Sequence, residues 1–141
     1  MKRILPFLLI VSMLTVCLFG CGRSVQIEGL SRAAYVEVRA FSTTEQGYTD
    51  YVISDYETVD RICAAFSGLT LKKTKSNCEP NAIAYTLQFY NHSHAPVDGI
   101  TVLAGGDMLD YDGDLYKTET NMQAYMDGIV AQMEPVDTQI P

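Results

Sequence analysis

Ala82-Ile83-Ala84-Tyr85-Thr86-Leu87-Gln88-Phe89-Tyr90 is the stretch whose reading decides the fold. Ile83, Tyr85, Leu87 and Phe89 fall on one side of an extended chain, while Thr86, Gln88 and Tyr90 fall on the other. Aromatic and β-branched residues at a period of two suit a pleated surface, and one apolar side beside one polar side predicts a strand in mid-sheet with one face covered.

Toward the C-terminus, Asn91 to Gly99 is rich in turn formers and Ile100 to Ala104 is the next strand. Gly105-Gly106 predicts a two-residue hairpin into Asp107 to Tyr111, and Asp112-Gly113 predicts another into Asp114 to Lys117. Thr120-x-x-Gln123 reads as a capping box. After it Met122, Tyr125, Met126, Ile129, Val130 and Met133 recur at helical spacing until Pro135.

Toward the N-terminus, Tyr35 to Phe41 alternates as a strand with Glu37 and Arg39 on a wet side, and Tyr48 to Ile53 is a weaker strand. Ser54-Asp55-Tyr56-Glu57 reads as a capping box with Ser54 as the cap. Val59, Ile62, Cys63 and Phe66 then form one apolar stripe, and Gly68 stops the helix. Leu69 to Thr74 is a short strand, and Lys75 to Asn81 is a loop. Each helix has a single apolar stripe, so both are expected on one face of the same sheet. The expected fold is α+β: an antiparallel sheet of about five to six strands with two helices on one face, in the order β-(β)-α-β-β-β-β-β-α. That order is similar to the TATA-binding-protein-like fold, a likeness of architecture alone.

The first residues give an address. Lys2 and Arg3 precede an apolar run from Ile4 to Phe19, the layout of a cleaved export signal. Leu18-Phe19-Gly20-Cys21 resembles the lipobox of bacterial lipoproteins: Leu18, Gly20 and Cys21 match, and Phe19 is bulkier than the residue usual there. The resemblance implies that Cys21 becomes the first residue of the mature chain and carries at least two acyl chains, enough for stable anchoring at the extracytoplasmic face of the cell membrane. The whole pattern is similar to small uncharacterised lipoproteins of Gram-positive bacteria. The division that follows is a signal over 1–20, a lipid-attached tether over 21–33, one domain over 34–134 and a frayed tail over 135–141.

Beyond residue 20 the chain keeps 8 basic residues against 17 acidic ones, a formal charge of −9. That balance argues against nucleic acid as a partner and against electrostatic adhesion to anionic lipid. Outside the cytoplasm Cys63 and Cys78 are an even, bridgeable pair; the alternative is a small apolar Cys63 on a helix and an idle loop thiol at Cys78. Lys72, Lys73 and Lys75 form a basic cluster, read as edge lysines that discourage strand pairing or as a contact for an acidic partner. Asp110-x-Asp112-Gly113-Asp114 resembles the start of a calcium loop, but Leu115 and Asn121 occupy positions where that loop needs glycine and glutamate, and a hairpin is the better reading. His92-x-His94 has the spacing of two metal ligands on an extended segment, with no third ligand in sight. No catalytic motif is present and no cofactor is implied. The expected function is a lipid-anchored, non-catalytic binding or scaffolding module for a protein or small ligand. Its rivals are a calcium- or metal-dependent binding protein and an unrecognised hydrolase. The candidate binding face is the polar side of the strands: Thr86, Gln88, Tyr90, Thr101 and Leu103.

Overall fold

The computed structural model describes residues 24–42, 47–75 and 83–136. The signal, Cys21, Cys78 and residues 137–141 of the tail therefore lie outside the described residues. The elements are β1 (Ser24–Val25), a 3-10 turn (Leu30–Arg32), β2 (Tyr35–Phe41), β3 (Tyr48–Ile53), α1 (Tyr56–Ser67), β4 (Leu71–Lys73), β5 (Ile83–Tyr90), β6 (Pro96–Leu103), β7 (Met108–Tyr111), β8 (Asp114–Lys117) and α2 (Met122–Val130). All strands join one antiparallel sheet in the order β1-β4-β8-β7-β6-β5-β2-β3.

This eight-stranded sheet replaces the expected sheet of five to six strands, and with it the likeness to a TATA-binding-protein-like arrangement. Part of the difference comes from residues read as a tether. Ser24 and Val25 pair with Lys72 and Leu71, and just after them Ile27 and Leu30 are fully buried in the main core. Residues 24–33 thus belong to the domain. β1 also pairs with Leu71 and Lys72, so Lys72 does not sit on an open edge, whereas Lys73 lies beyond the two residues of β1.

β5 runs between β2 and β6, and the registers Val36↔Phe89, Val38↔Leu87, Leu87↔Ile100 and Val102↔Leu109 line up one apolar face. Both helices lie on it. On α1, Val59, Ile62, Cys63 and Phe66 are buried, and Phe66 meets Phe89 edge-on with ring centroids 6.4 Å apart. That geometry suits the aromatic quadrupole. On α2, Met122, Met126 and Ile129 are buried, and the Tyr85 hydroxyl donates to Asp127. The helices also touch, the Tyr125 hydroxyl donating to the Arg61 carbonyl at 3.1 Å.

Each helix is capped one residue later than expected. Asp55, not Ser54, accepts from Thr58 N and Thr58 Oγ1 at 2.9 and 2.8 Å, and Asn121, not Thr120, accepts from Ala124 N at 2.9 Å. Two adjacent residues of capping type compete at each start, and the one whose side chain reaches the free N–H groups wins. The hairpins do form at Gly105-Gly106 and Asp112-Gly113, where all four residues have positive φ. β6 starts earlier than expected, at Pro96, where the β5–β6 register shifts between Phe89 and Tyr90. A residue without an N–H is tolerated at such a place.

Candidate functional site

With both helices on one face, the other face of the sheet is left to residues of opposite parity. The registers set them in rows. One row runs Asp50, Arg39, Thr86, Thr101 and Asp110 across β3, β2, β5, β6 and β7; the next runs Val52, Glu37, Gln88 and Gly99. All of these but Asp110 line a cleft of about 460 Å³, to which Val136 also contributes.

Arg39 is the most organised side chain there. Its Nε and Nη2 donate to the two Asp50 carboxylate oxygens at 2.7 and 3.1 Å, and its guanidinium carbon lies 3.9 Å from the Tyr48 ring centroid. The hydrogen bond to Asp50 raises the Arg39 pKa above its ordinary value. A two-point carboxylate clasp and an aromatic platform fix the plane of the guanidinium, so its remaining N–H donors have a set direction. Beside it, Gln88 Nε2 donates to the Asp98 carbonyl at 2.6 Å, while the Gln88 amide oxygen covers Gly99 closely enough that a Cβ there would sit 3.0 Å away. Gln88 is therefore partly spent on the fold. Tyr90 stacks on Tyr35 with centroids 5.0 Å apart, and desolvation together with the Glu37 carboxylate raises its pKa. The Tyr35 hydroxyl in turn lies 3.0 Å from His94 Nδ1.

Among the residues expected on this face, Thr86, Gln88 and Thr101 line the cleft and Tyr90 lies outside its lining. Leu103 is only 6 % exposed, beside the register shift between Ile83 and Tyr85, and offers little surface to a ligand. Arg39, Asp50, Val52 and Val136 are the participants missed in the sequence. Alternation sets Arg39 on the wet side of its strand, but its partner lies on β3, whose sequence carries a weaker strand signal. Val136 reaches the site because the chain after α2 turns onto the β3 edge, where Val136 N donates to the Asp50 carbonyl at 2.8 Å. The first residue after Pro135 is thus docked rather than frayed.

The other candidates are dispersed. Asp110 lies in the open-face row, Asp112 occupies the hairpin turn, and Asp114 pairs with Lys73 at 2.8 Å. His94 adopts φ 60 in a loop closed by Asn91, whose Oδ1 accepts from Ser93 N and Ala95 N. Among the described residues, no three histidine, cysteine or carboxylate side chains are grouped as a metal would need. Cys63 is a free, buried thiol on the core side of α1, so the described structure holds no bridge to it. Burial, with the Asp60 carboxylate adding, pushes that thiol up to about 11.

No protein-family model, curated protein or solved structure matches the chain. Among the described residues, no helix is long and apolar enough to cross a membrane.

Proposed function

We propose that the chain is a lipid-anchored, extracytoplasmic binding module, non-catalytic, that captures a partner protein on the helix-free face of its sheet. The observation that carries this reading is the cleft itself: a clasped guanidinium, two threonine hydroxyls and the Glu37 carboxylate converge beside exposed apolar groups, Tyr48, Val52 and Val136. Apolar contact area next to a few directed polar groups is the usual composition of a recognition surface, and Arg and Tyr are enriched where such surfaces bind most strongly. The lining contains neither histidine nor cysteine, and of its two carboxylates Asp50 is engaged by Arg39. The anchor is supplied by the Leu18-x-Gly20-Cys21 pattern.

The test is photo-crosslinking from Val52 and Thr101 in membranes of cells that make the full chain, with mass spectrometry of the adducts. One recurrent partner, lost on Arg39→Ala at an unchanged melting temperature, supports the reading. Adducts that are scattered, or that do not respond to Arg39→Ala, refute it.

A further inference from the structure

The lysines lie at one end of the sheet. Beyond residue 20 the chain has four lysines, Lys72, Lys73, Lys75 and Lys117. Three of them are on β4 and β8, and Lys75 follows β4 directly. Lys72 stands opposite Lys117 in register, and both project from the helix-free face. Like charges directly opposed across strands destabilise a sheet. The compensation is thin: Lys72 Nζ lies 3.5 Å from Glu119, with the two side chains 63 % and 88 % exposed. Lys73 is balanced by Asp114 at 2.8 Å. Protection of a sheet edge does not explain the placement of Lys72, because Ser24 of β1 already pairs with it.

β1 brings these lysines to the anchor. Ser24 pairs with Lys72, and the burial of Ile27 and Leu30 fixes the chain immediately after β1. If Cys21 is lipidated, only the three steps from Cys21 to Ser24 separate lipid from sheet, at most about 11 Å. One strand spacing further, about 5 Å, stands Lys72, and one more reaches Lys117. The headgroup layer of a leaflet is itself roughly 6 Å deep. A lipid on Cys21 therefore keeps both lysines within about 21 Å of the membrane surface, and a tilt that lays the β1 end of the sheet on the leaflet brings them to it. The acidic groups close to these lysines are Glu119 at Lys72, Asp114 at Lys73 and Asp110 on the neighbouring β7, whereas the cleft carboxylates are remote: Glu37 on β2 is six strand spacings from β1, about 29 Å, and surface charges are screened beyond about 8 Å at physiological ionic strength.

We propose that the β1-β4-β8 end of the sheet is a membrane-docking surface on which Lys72 and Lys117, with Lys75, engage the phosphates of anionic phospholipids. The inference rests on lipidation at Cys21. It assigns the lysine cluster to the anchor's own membrane and orients the domain with β3 outermost.

The experiment uses the full chain, processed by its bacterial host and returned to vesicles of phosphatidylcholine with or without phosphatidylglycerol. Amine acetylation at each lysine is followed by peptide mass spectrometry, and intact mass reports acylation at Cys21. The expected result is acetylation of Lys72 and Lys117 slowed about five-fold or more by phosphatidylglycerol, the factor that one basic residue contributes at an anionic surface, with the protection lost at high salt. Equal acetylation in the two vesicles, on a chain whose mass shows acylation, overturns the docking surface and leaves the anchor standing. Protection that survives high salt overturns the electrostatic assignment. A chain without acyl mass at Cys21 overturns both.

Discussion

Leu30→Ala separates a folded N-terminal segment from a tether more sharply than any other single change. Leu30 opens the 3-10 turn between β1 and β2 and has 0 % of its surface exposed. Gly29 enters the turn at φ 83, Arg32 N donates to the Gly29 carbonyl at 3.2 Å, and Ala34 N donates to the Tyr90 carbonyl at 2.6 Å, so the turn delivers the chain into the main sheet. Truncating a fully buried leucine costs about 2 to 5 kcal/mol, the transfer loss plus the cavity left behind. For a domain of this size each kcal/mol lowers the melting temperature by about 4 °C, so a drop of about 8 to 20 °C is expected. The assay is thermal unfolding followed by circular dichroism on the chain from residue 22 onward, with Ser31→Ala as the exposed control. Ser31 lies on the surface, and its substitution should stay within about 0.5 kcal/mol of the parent. If Leu30→Ala melts within the range of that control, residues 24–33 are a tether after all. The short leash on which the membrane-docking argument depends then goes with it.

Three further outcomes are expected. The thiol of Cys63 is pushed up from 9.0 to about 11 and the Tyr111 hydroxyl from 10.0 to about 12, both chiefly by burial. The folded chain thus keeps protons that the unfolded chain releases, and stability present below pH 9 should fall as pH rises through 9 to 11 and then 10 to 12; melting temperatures against pH check this, and Cys63→Ala should remove the first step. Gly106→Ala should destabilise far more than Gly105→Ala, because a Cβ at Gly106 would collide with the Asn121 side chain that caps α2, whereas the nearest atom to one at Gly105 is 3.7 Å away; denaturant midpoints of the two variants decide it. On anionic vesicles, a fluorophore at Val52→Cys in a Cys63→Ala, Cys78→Ala background should sit about 34 Å from a lipid-surface acceptor, since Val52 is on the strand seven spacings from β1, and a separation near that of a β4 label would contradict the orientation.

What was legible in the sequence is what local physics decides. The period of two in β5 and β2, the helical stripes from Val59 to Phe66 and Met122 to Ile129, and the glycine turns at Gly105-Gly106 and Asp112-Gly113 all depend on neighbours a few residues apart. What was not legible depends on partners far along the chain. Ser24–Val25 is too short to show a period and is a strand only because β4 lies beside it. Val25, Ile27 and Leu30 follow neither a strand nor a helix period, and they are drawn in by the surface that α1 and the sheet leave uncovered. The caps moved by one residue because Ser54-Asp55 and Thr120-Asn121 both offer acceptors within reach, and only the entry angle of the chain selects between them. The cleft was half legible for the same reason. Parity put Thr86, Gln88 and Thr101 on the open side, but that Arg39 meets Asp50 follows from the β2–β3 register, and Leu103 is buried beside a register shift that no local period announces.

The order of the sheet joins the two surfaces into one argument. α1 carries the chain from β3, at one edge, under the apolar face to β4, next to the other edge. That crossing separates the strands built before it, which contribute Glu37, Arg39, Asp50 and Val52 to the cleft, from the β4-β8 lysines. The first strand, β1, escapes this division: it precedes β2 in sequence yet pairs with β4, and so brings the start of the chain to the lysine end. Had β1 instead paired on the free edge of β3, the leash to Cys21 would emerge beside the cleft, and the membrane would crowd the surface proposed to bind. The pairing of Ser24 with Lys72 thus does two things at once. It sets basic side chains next to the attachment point, and it leaves the cleft on the far strands, several Debye lengths from the anionic headgroups.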